Sequence, residues 1–295
     1  MKLYITILVA VLFVSCFGLP CFAACPSADL TGDCRVDFND FAKMAGQWLT
    51  EGTPTPILNG MTWVSINDPG VPDHEGFTGE MGKYETTNAQ YCQFLNAALA
   101  SGDITVSGSI VYGASGSNSG EDYNGELYYD LAGWGWTDNG YTNGGAARIH
   151  YIGGVFSVDP NFENHPVTWV NWYGAPAFCN YYGCRLPTEW EWQAVADYDG
   201  SYNYGCGTDI NNIIANYENS IHPDGATVVG AFGTYGYGMC DMAGNVWEWT
   251  SSIYSGSGVI RGCCWGNLDG LCTVSYMSPS NPVSAYYSMG FRVCR

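Results

Sequence analysis

The stretch "RGCCWGNLDGLC", residues 261–272, places Cys263, Cys264 and Cys272 in a glycine-rich setting beside Trp265. Thiols this close in sequence suit one of two chemistries. As thiolates they could hold a soft metal or turn over in redox exchange; as disulfide partners they are structural. Adjacent cysteines on a strand point to opposite faces, so only one of Cys263 and Cys264 could face Cys272. A structural disulfide from this cluster to Cys272, Cys240 or Cys294 is the expected use.

A second chemical cluster is acidic. In "DLTGDCRVDFND", Asp29, Thr31, Asp33, Asp37 and Asp40 fall at positions 1, 3, 5, 9 and 12 of a calcium loop, with the Arg35 carbonyl at 7. Carboxylates at alternate positions of a tight loop repel one another unless a hard cation lies between them. Phe38, Phe41, Met44, Ala45 and Trp48 follow at helical spacing. This segment resembles one repeat of a type I dockerin, a calcium-dependent docking module, which implies Ca²⁺ and a cohesin-like partner. It departs from that pattern at Cys34, where glycine is usual, at Asp40, where glutamate is usual, and in having a single repeat. Cys25 and Cys34 bracket the loop and could staple it.

The elements that position these residues begin with a secretory leader. Lys2, the apolar run "LYITILVAVLFVSCFGL" and "CFAA" predict a signal peptide over residues 1–24, hence a secreted, periplasmic or cell-surface location. Cys16 and Cys21 lie in that leader, which leaves 11 of the 13 cysteines in the mature chain, an odd number in a disulfide-permissive setting. Net charge is −19, from 28 acidic and 9 basic residues, so nucleic acid and anionic membrane surfaces are poor partners. No membrane span is expected in the mature chain. The dockerin-like loop and helix occupy residues 25–49, a Pro/Gly/Thr linker 50–59, and one larger domain 60–295.

Three helices are predicted in that domain. "TTNAQYCQFLNAAL" and "LPTEWEWQAVAD" carry capping boxes at Thr87/Gln90 and Thr188/Glu191, and "NWYGAPAFCNYY" has Asn171 as an N-cap. Brief apolar alternations at "VTWV", "VWEWT", "VIRGCCW" and "FRVC" predict short strands. "VSGSIVYGASGSNSGEDYNGE" reads as a surface insertion. The whole is an α+β domain with long loops.

"GKYETTNAQYCQFLN", "HPVTWVNWYGAPAFCNYYGCRLPTEWEWQAVA", "GYGMCDMAGNVWEWT", "RGCCW" and "GFRVC" occur in the order seen in the formylglycine-generating enzyme, or sulfatase-modifying factor, family. The resemblance runs from about Gly60 to the C-terminus and implies a C-type-lectin-like fold with little regular secondary structure. It also implies calcium sites. One would use the Asp241 side chain, the Gly244 and Val246 carbonyls and Glu248. The other would use Asn216, the Tyr217 carbonyl, Asp224 and the Ala226 carbonyl.

Active members resemble copper oxidases in which two thiolates bind Cu(I) and O₂ converts a sulfatase cysteine to formylglycine. Their Gly-Gly-Ser-aromatic turn corresponds to Gly262, Cys263, Cys264 and Trp265. The two thiol positions then fall on Asn267 and Cys272, so one thiol is missing. Nothing else restores an enzyme: His74, His150, His165 and His222 are scattered, and no nucleophile-elbow or P-loop motif occurs. The expected role is non-catalytic recognition of an exported protein or glycan; the rival is a genuine oxidase with Cu(I). In related lectin-like proteins the C-terminal stretch is the binding face. Here it offers Trp265, Asn267, Leu268, Asp269, Tyr276, Met277, Tyr286 and Tyr287, a paratope-like mixture.

Overall fold

The computed structural model describes Val36 and residues 58–71, 74–114, 123–133, 145–218 and 225–295. The chain divides into two units, Met1–Pro54 and Thr55–Arg295, and the described residues other than Val36 belong to the second. The leader, the acidic-loop residues Asp29, Thr31, Asp33, Arg35, Asp37 and Asp40, and Asp224 lie outside the described residues.

The helices form where local capping places them. At α1 (Asn88–Ser101) the Thr87 hydroxyl accepts from the Gln90 N–H, and the Gln90 side chain accepts from the Thr87 N–H at 2.9 Å. α2 (Gly174–Tyr182) is entered through Asn171, whose Oδ1 accepts from the Tyr173 and Gly174 N–H groups at 3.1 and 3.0 Å. α3 (Glu189–Asp197) repeats the capping box with Thr188 and Glu191. Each cap satisfies amide groups that a helix start leaves without partners, a contribution of about 1 kcal/mol. Tyr91 and Phe94 of α1, Phe178 of α2 and Phe291 then pack together, with ring centroids 5.3 to 6.0 Å apart.

The strands are short. β1 (Trp63–Val71) and β2 (His74–Gly82) form an antiparallel pair, β3 (Ile104–Ser107), β4 (Ile110–Gly113) and β5 (Leu127–Asp130) a three-stranded sheet, and β6 (Ile149–Ile152) with β7 (Val155–Val158) a hairpin. β8 (Trp247–Tyr254), β9 (Ser257–Arg261), β10 (Ser278–Ser280) and β11 (Met289–Phe291) make a four-stranded sheet in the order β10-β9-β8-β11, with β11 parallel to β8. This mixture of helices and small sheets is the α+β class expected.

Three local expectations differ. "VTWV" forms no strand, because Trp169 takes a left-handed φ of 64° that breaks the extended run and leaves Val170 with a lone bridge to Tyr129. The segment 106–126 is not wholly a surface insertion: Val111, in β4, is fully buried in the core. And β9 ends at Arg261, so Cys263 and Cys264 lie in a turn rather than on a strand.

Candidate functional site

The turn after β9 is held by its cysteines. Cys263 adopts φ 62°, a left-handed conformation that costs a non-glycine residue roughly 1–2 kcal/mol. It is joined by a disulfide to Cys272, with Cα atoms 4.8 Å apart. Closing so short a loop stabilises the fold by roughly 2–3 kcal/mol on chain-entropy grounds, enough to offset that backbone strain. A short 3₁₀ turn, Asp269–Leu271, delivers Cys272 to its partner. Of the three partners open to this cluster, the fold selects Cys263–Cys272 within the cluster itself; Cys240 and Cys294 are free thiols.

Asn267 has a structural task. Its Oδ1 accepts from the Cys264 N–H and from the Cys264 thiol, both at 3.0 Å, while its N–H returns to the Cys264 carbonyl at 3.0 Å. Cys264 is buried, and burial pushes its thiol up to about 11, so it stays protonated at neutral pH. The donor set therefore does not fit Cu(I): one thiol position is an amide turned onto backbone, the other is oxidised, and the neighbouring sulfur is a protonated thiol.

Arg261, the last residue of β9, is 1% exposed and organises the loop beyond it. Its Nη1 donates to the Val274 and Tyr276 carbonyls at 2.9 and 3.2 Å, and its Nη2 to Glu189 of α3 at 3.0 Å. On this frame Leu268, Asp269, Tyr276 and Tyr286 are exposed, Leu268 at 61%. Met277 is half-buried. Trp265 and Tyr287 differ from the exposed surface expected: they are partly buried and packed on each other, with centroids 5.8 Å apart. The Trp265 indole N–H is buried without a partner.

A buried polar cluster lies behind this region. Glu248 is inaccessible, and its carboxylate receives Arg292 Nε and Nη2 at 2.6 Å each and the Trp192 indole N–H at 2.7 Å. Both Glu248 oxygens thus accept from the Arg292 guanidinium, at the residue where the family resemblance implies a calcium ligand. Asp241 accepts from the Gly230 N–H at 2.5 Å, and burial pushes its carboxyl up to about 6. Glu85 accepts twice from Asn245 Nδ2, at 3.1 and 3.2 Å. Burial and the charges of Asp241 and Glu248 raise it well above the ordinary carboxylate range. Gly244, at φ 84°, lets this loop pass against the Asn216 backbone, where a Cβ would collide with the Asn216 carbonyl. Val246 is buried beside them.

The other implied calcium set fares differently. Asn216 is 1% exposed, yet its Oδ1 has no hydrogen-bond partner, while its Nδ2 donates to the Gly225 carbonyl at 3.2 Å. A buried acceptor without a donor is what a hard cation would satisfy. Tyr217 and Ala226 flank it in the chain on either side of the undescribed stretch holding Asp224. Among the described residues no group of three or more His, Cys, Asp or Glu side chains is arranged to hold a metal, so this site would rest mainly on amide and carbonyl oxygens.

Arg261, Arg292, Glu85 and Asn245 were not singled out from sequence. A lone arginine inside an apolar run, as in "VIRG" and "FRV", was the available signal.

The domain is an irregular α+β fold whose C-terminal sheet leads into a turn closed by the Cys263–Cys272 disulfide. The chain belongs to the sulfatase-modifying factor family: the sulfatase-modifying factor enzyme 1-like domain matches residues 73–295. It is 32% identical over 171 residues to the serine/threonine-protein kinase pkn1 of Chlamydia caviae, half of this chain and 27% of that one. Over 149 residues it is 34% identical to the inactive C-alpha-formylglycine-generating enzyme 2 of Mus musculus, 43% of this chain and 48% of that one. These matches thus span less than half the length of either curated relative. The crystal structure of CarF shares the fold, with a TM-score of 0.55 and 19% identity over 81% of this chain and 99% of CarF. Among the described residues no helix is long and apolar enough to cross a membrane.

Proposed function

We propose that this chain is an exported, non-catalytic member of the sulfatase-modifying factor family that recognises a protein or glycan through the loops between β9 and β11. The observation that carries this reading is the pairing of Cys272 with Cys263, together with the inward-turned Asn267 amide. Cu(I) chemistry needs two available thiolates, and neither family position supplies one. The inactive mouse relative supports a family member without turnover. Arg261 supports the recognition role, because it fixes the loop carbonyls at 274 and 276 and so lowers the ordering cost of binding.

Calcium is the proposed resident ion, at Asn216 Oδ1 with Asp224 and the Tyr217 and Ala226 carbonyls, where it would tie two loops together. A second calcium is proposed for the Asp29–Asp40 loop, with a cohesin-like partner as its docking target.

The deciding experiment presents a Cys-x-Pro-x-Arg peptide to the purified protein with Cu(I) and O₂, followed by aldehyde-specific labelling. No aldehyde is expected. Turnover by the unmodified protein would overturn this reading and establish the oxidase.

A further inference from the structure

Helix α2 ends in "CNYYGC", residues 179–184, and that ending is a Schellman motif. Gly183 takes φ 67°, its N–H donates to the Asn180 carbonyl at 3.4 Å, and the Cys184 N–H donates to the Cys179 carbonyl at 3.0 Å. In this motif the side chains three residues before the helix end and just past the glycine meet, normally as an apolar contact. Here both are cysteines. The Cys184 thiol donates to the Cys179 carbonyl oxygen, 3.6 Å away. Both are free thiols, Cys179 buried and Cys184 partly accessible.

We propose that Cys179 and Cys184 are a disulfide-forming pair, a redox lock on the C-terminal cap of α2. The partly accessible Cys184 thiolate attacks one sulfur of an external disulfide such as glutathione disulfide, and one glutathione thiolate leaves. Cys179 then releases its proton to solvent and attacks Cys184 Sγ, expelling the second glutathione. Two protein thiols are oxidised as one external disulfide is reduced to two thiols. Burial, reinforced by the Cys184 and Cys294 sulfurs, pushes the Cys179 thiol well above its usual range, so the second attack is the slow step.

Cys294 is the competing thiol. An antiparallel bridge with hydrogen bonds of 2.9 and 2.8 Å sets Arg185, not Cys184, opposite Cys294, whereas the helix cap sets Cys184 directly against Cys179. The lock secures a corner of the fold: Arg185 follows at once and pairs with Glu191, at the start of α3, at 2.6 and 2.7 Å.

Trypsin isolates the pair. Residues 149–185 carry Cys179 and Cys184 and no other cysteine, and residues 293–295 carry Cys294 alone. The full-length protein is treated with glutathione disulfide, alkylated without reduction, digested and weighed. The expected fragment 149–185 carries no alkyl group and is lighter by two hydrogens than its reduced form, while fragment 293–295 is alkylated. In Cys184→Ser the same fragment should retain one alkylatable or glutathione-bearing cysteine. Two alkyl groups on fragment 149–185 after oxidation, or a link between it and fragment 293–295, would overturn the proposal.

Discussion

Arg292 and Glu248 meet through two hydrogen bonds of 2.6 Å, with neither side chain exposed to solvent. The same guanidinium donates to the carbonyls of Gly82, Lys83, Cys240 and Asp241, at 3.0 to 3.4 Å. One side chain thus joins the end of β2, the 240–241 turn and β8 across the rear of the C-terminal sheet. Arg292→Met leaves the buried Glu248 without its guanidinium and those carbonyls without donors. A loss of about 3–5 kcal/mol is expected, because breaking a buried pair strands its partner. Urea denaturation measures it, and a change below about 1 kcal/mol would contradict the pairing.

Calcium should stabilise the protein through Asn216, whose Oδ1 lacks a donor. At free calcium a hundredfold above the dissociation constant, the gain is about 2.7 kcal/mol. Asn216→Leu should abolish the calcium-dependent part of the melting shift that involves this domain, without affecting calcium binding by the Asp29–Asp40 loop. An undiminished shift in that variant would place the ion elsewhere.

Restoring the missing copper ligand requires two changes. Asn267→Cys alone leaves Cys272 bound to Cys263 and should gain no copper. Adding Cys263→Gly frees Cys272 and relieves the left-handed φ of 62° at that position. Only the double variant should bind Cu(I) tightly, read as metal stoichiometry after dialysis. Copper retained by the parent protein would refute the argument.

Glu191 predicts an acid-labile contribution. Burial raises its carboxyl, but the Arg185 guanidinium and the Thr188 N–H outweigh burial, and its value ends below the ordinary range. The stabilisation is fully present above the unfolded-state value of about 4.3 and is lost as pH falls through the folded-state value. Denaturation midpoints of the parent and Glu191→Gln should therefore converge between about pH 5 and about pH 2. A gap that stays constant would remove the carboxylate from the account.

Leu268 and Tyr286 should be free of structural duty, being 61% and 46% exposed. Serine at either position is expected to change stability by no more than about 0.5 kcal/mol, as at ordinary surface sites. Yet both should weaken capture of any ligand found by glycan-array or protein-binding screens. Loss of folding with loss of binding would show that these residues support the scaffold instead.

The sequence by itself determined the features whose partners lie within one turn. Thr87 with Gln90, Thr188 with Glu191, and Asn171 with Gly174 are caps three residues long, so spacing alone specified them. It also determined that residue 267 is not a thiol, and the order of motifs was enough to indicate the family. Tertiary structure decided what depends on distance through space. The family resemblance implies a calcium ligand at Glu248, whereas its pairing with Arg292, 44 residues later, exists only once the fold brings the two together. The adjacent cysteines had three candidate partners, Cys272, Cys240 and Cys294, and the bond runs from Cys263 to Cys272 because a left-handed φ, invisible to apolar alternation, turned Cys263 out of the strand. Strand pattern reports which face a side chain occupies; it carries no information about the sign of φ, nor about which buried charge will neutralise another.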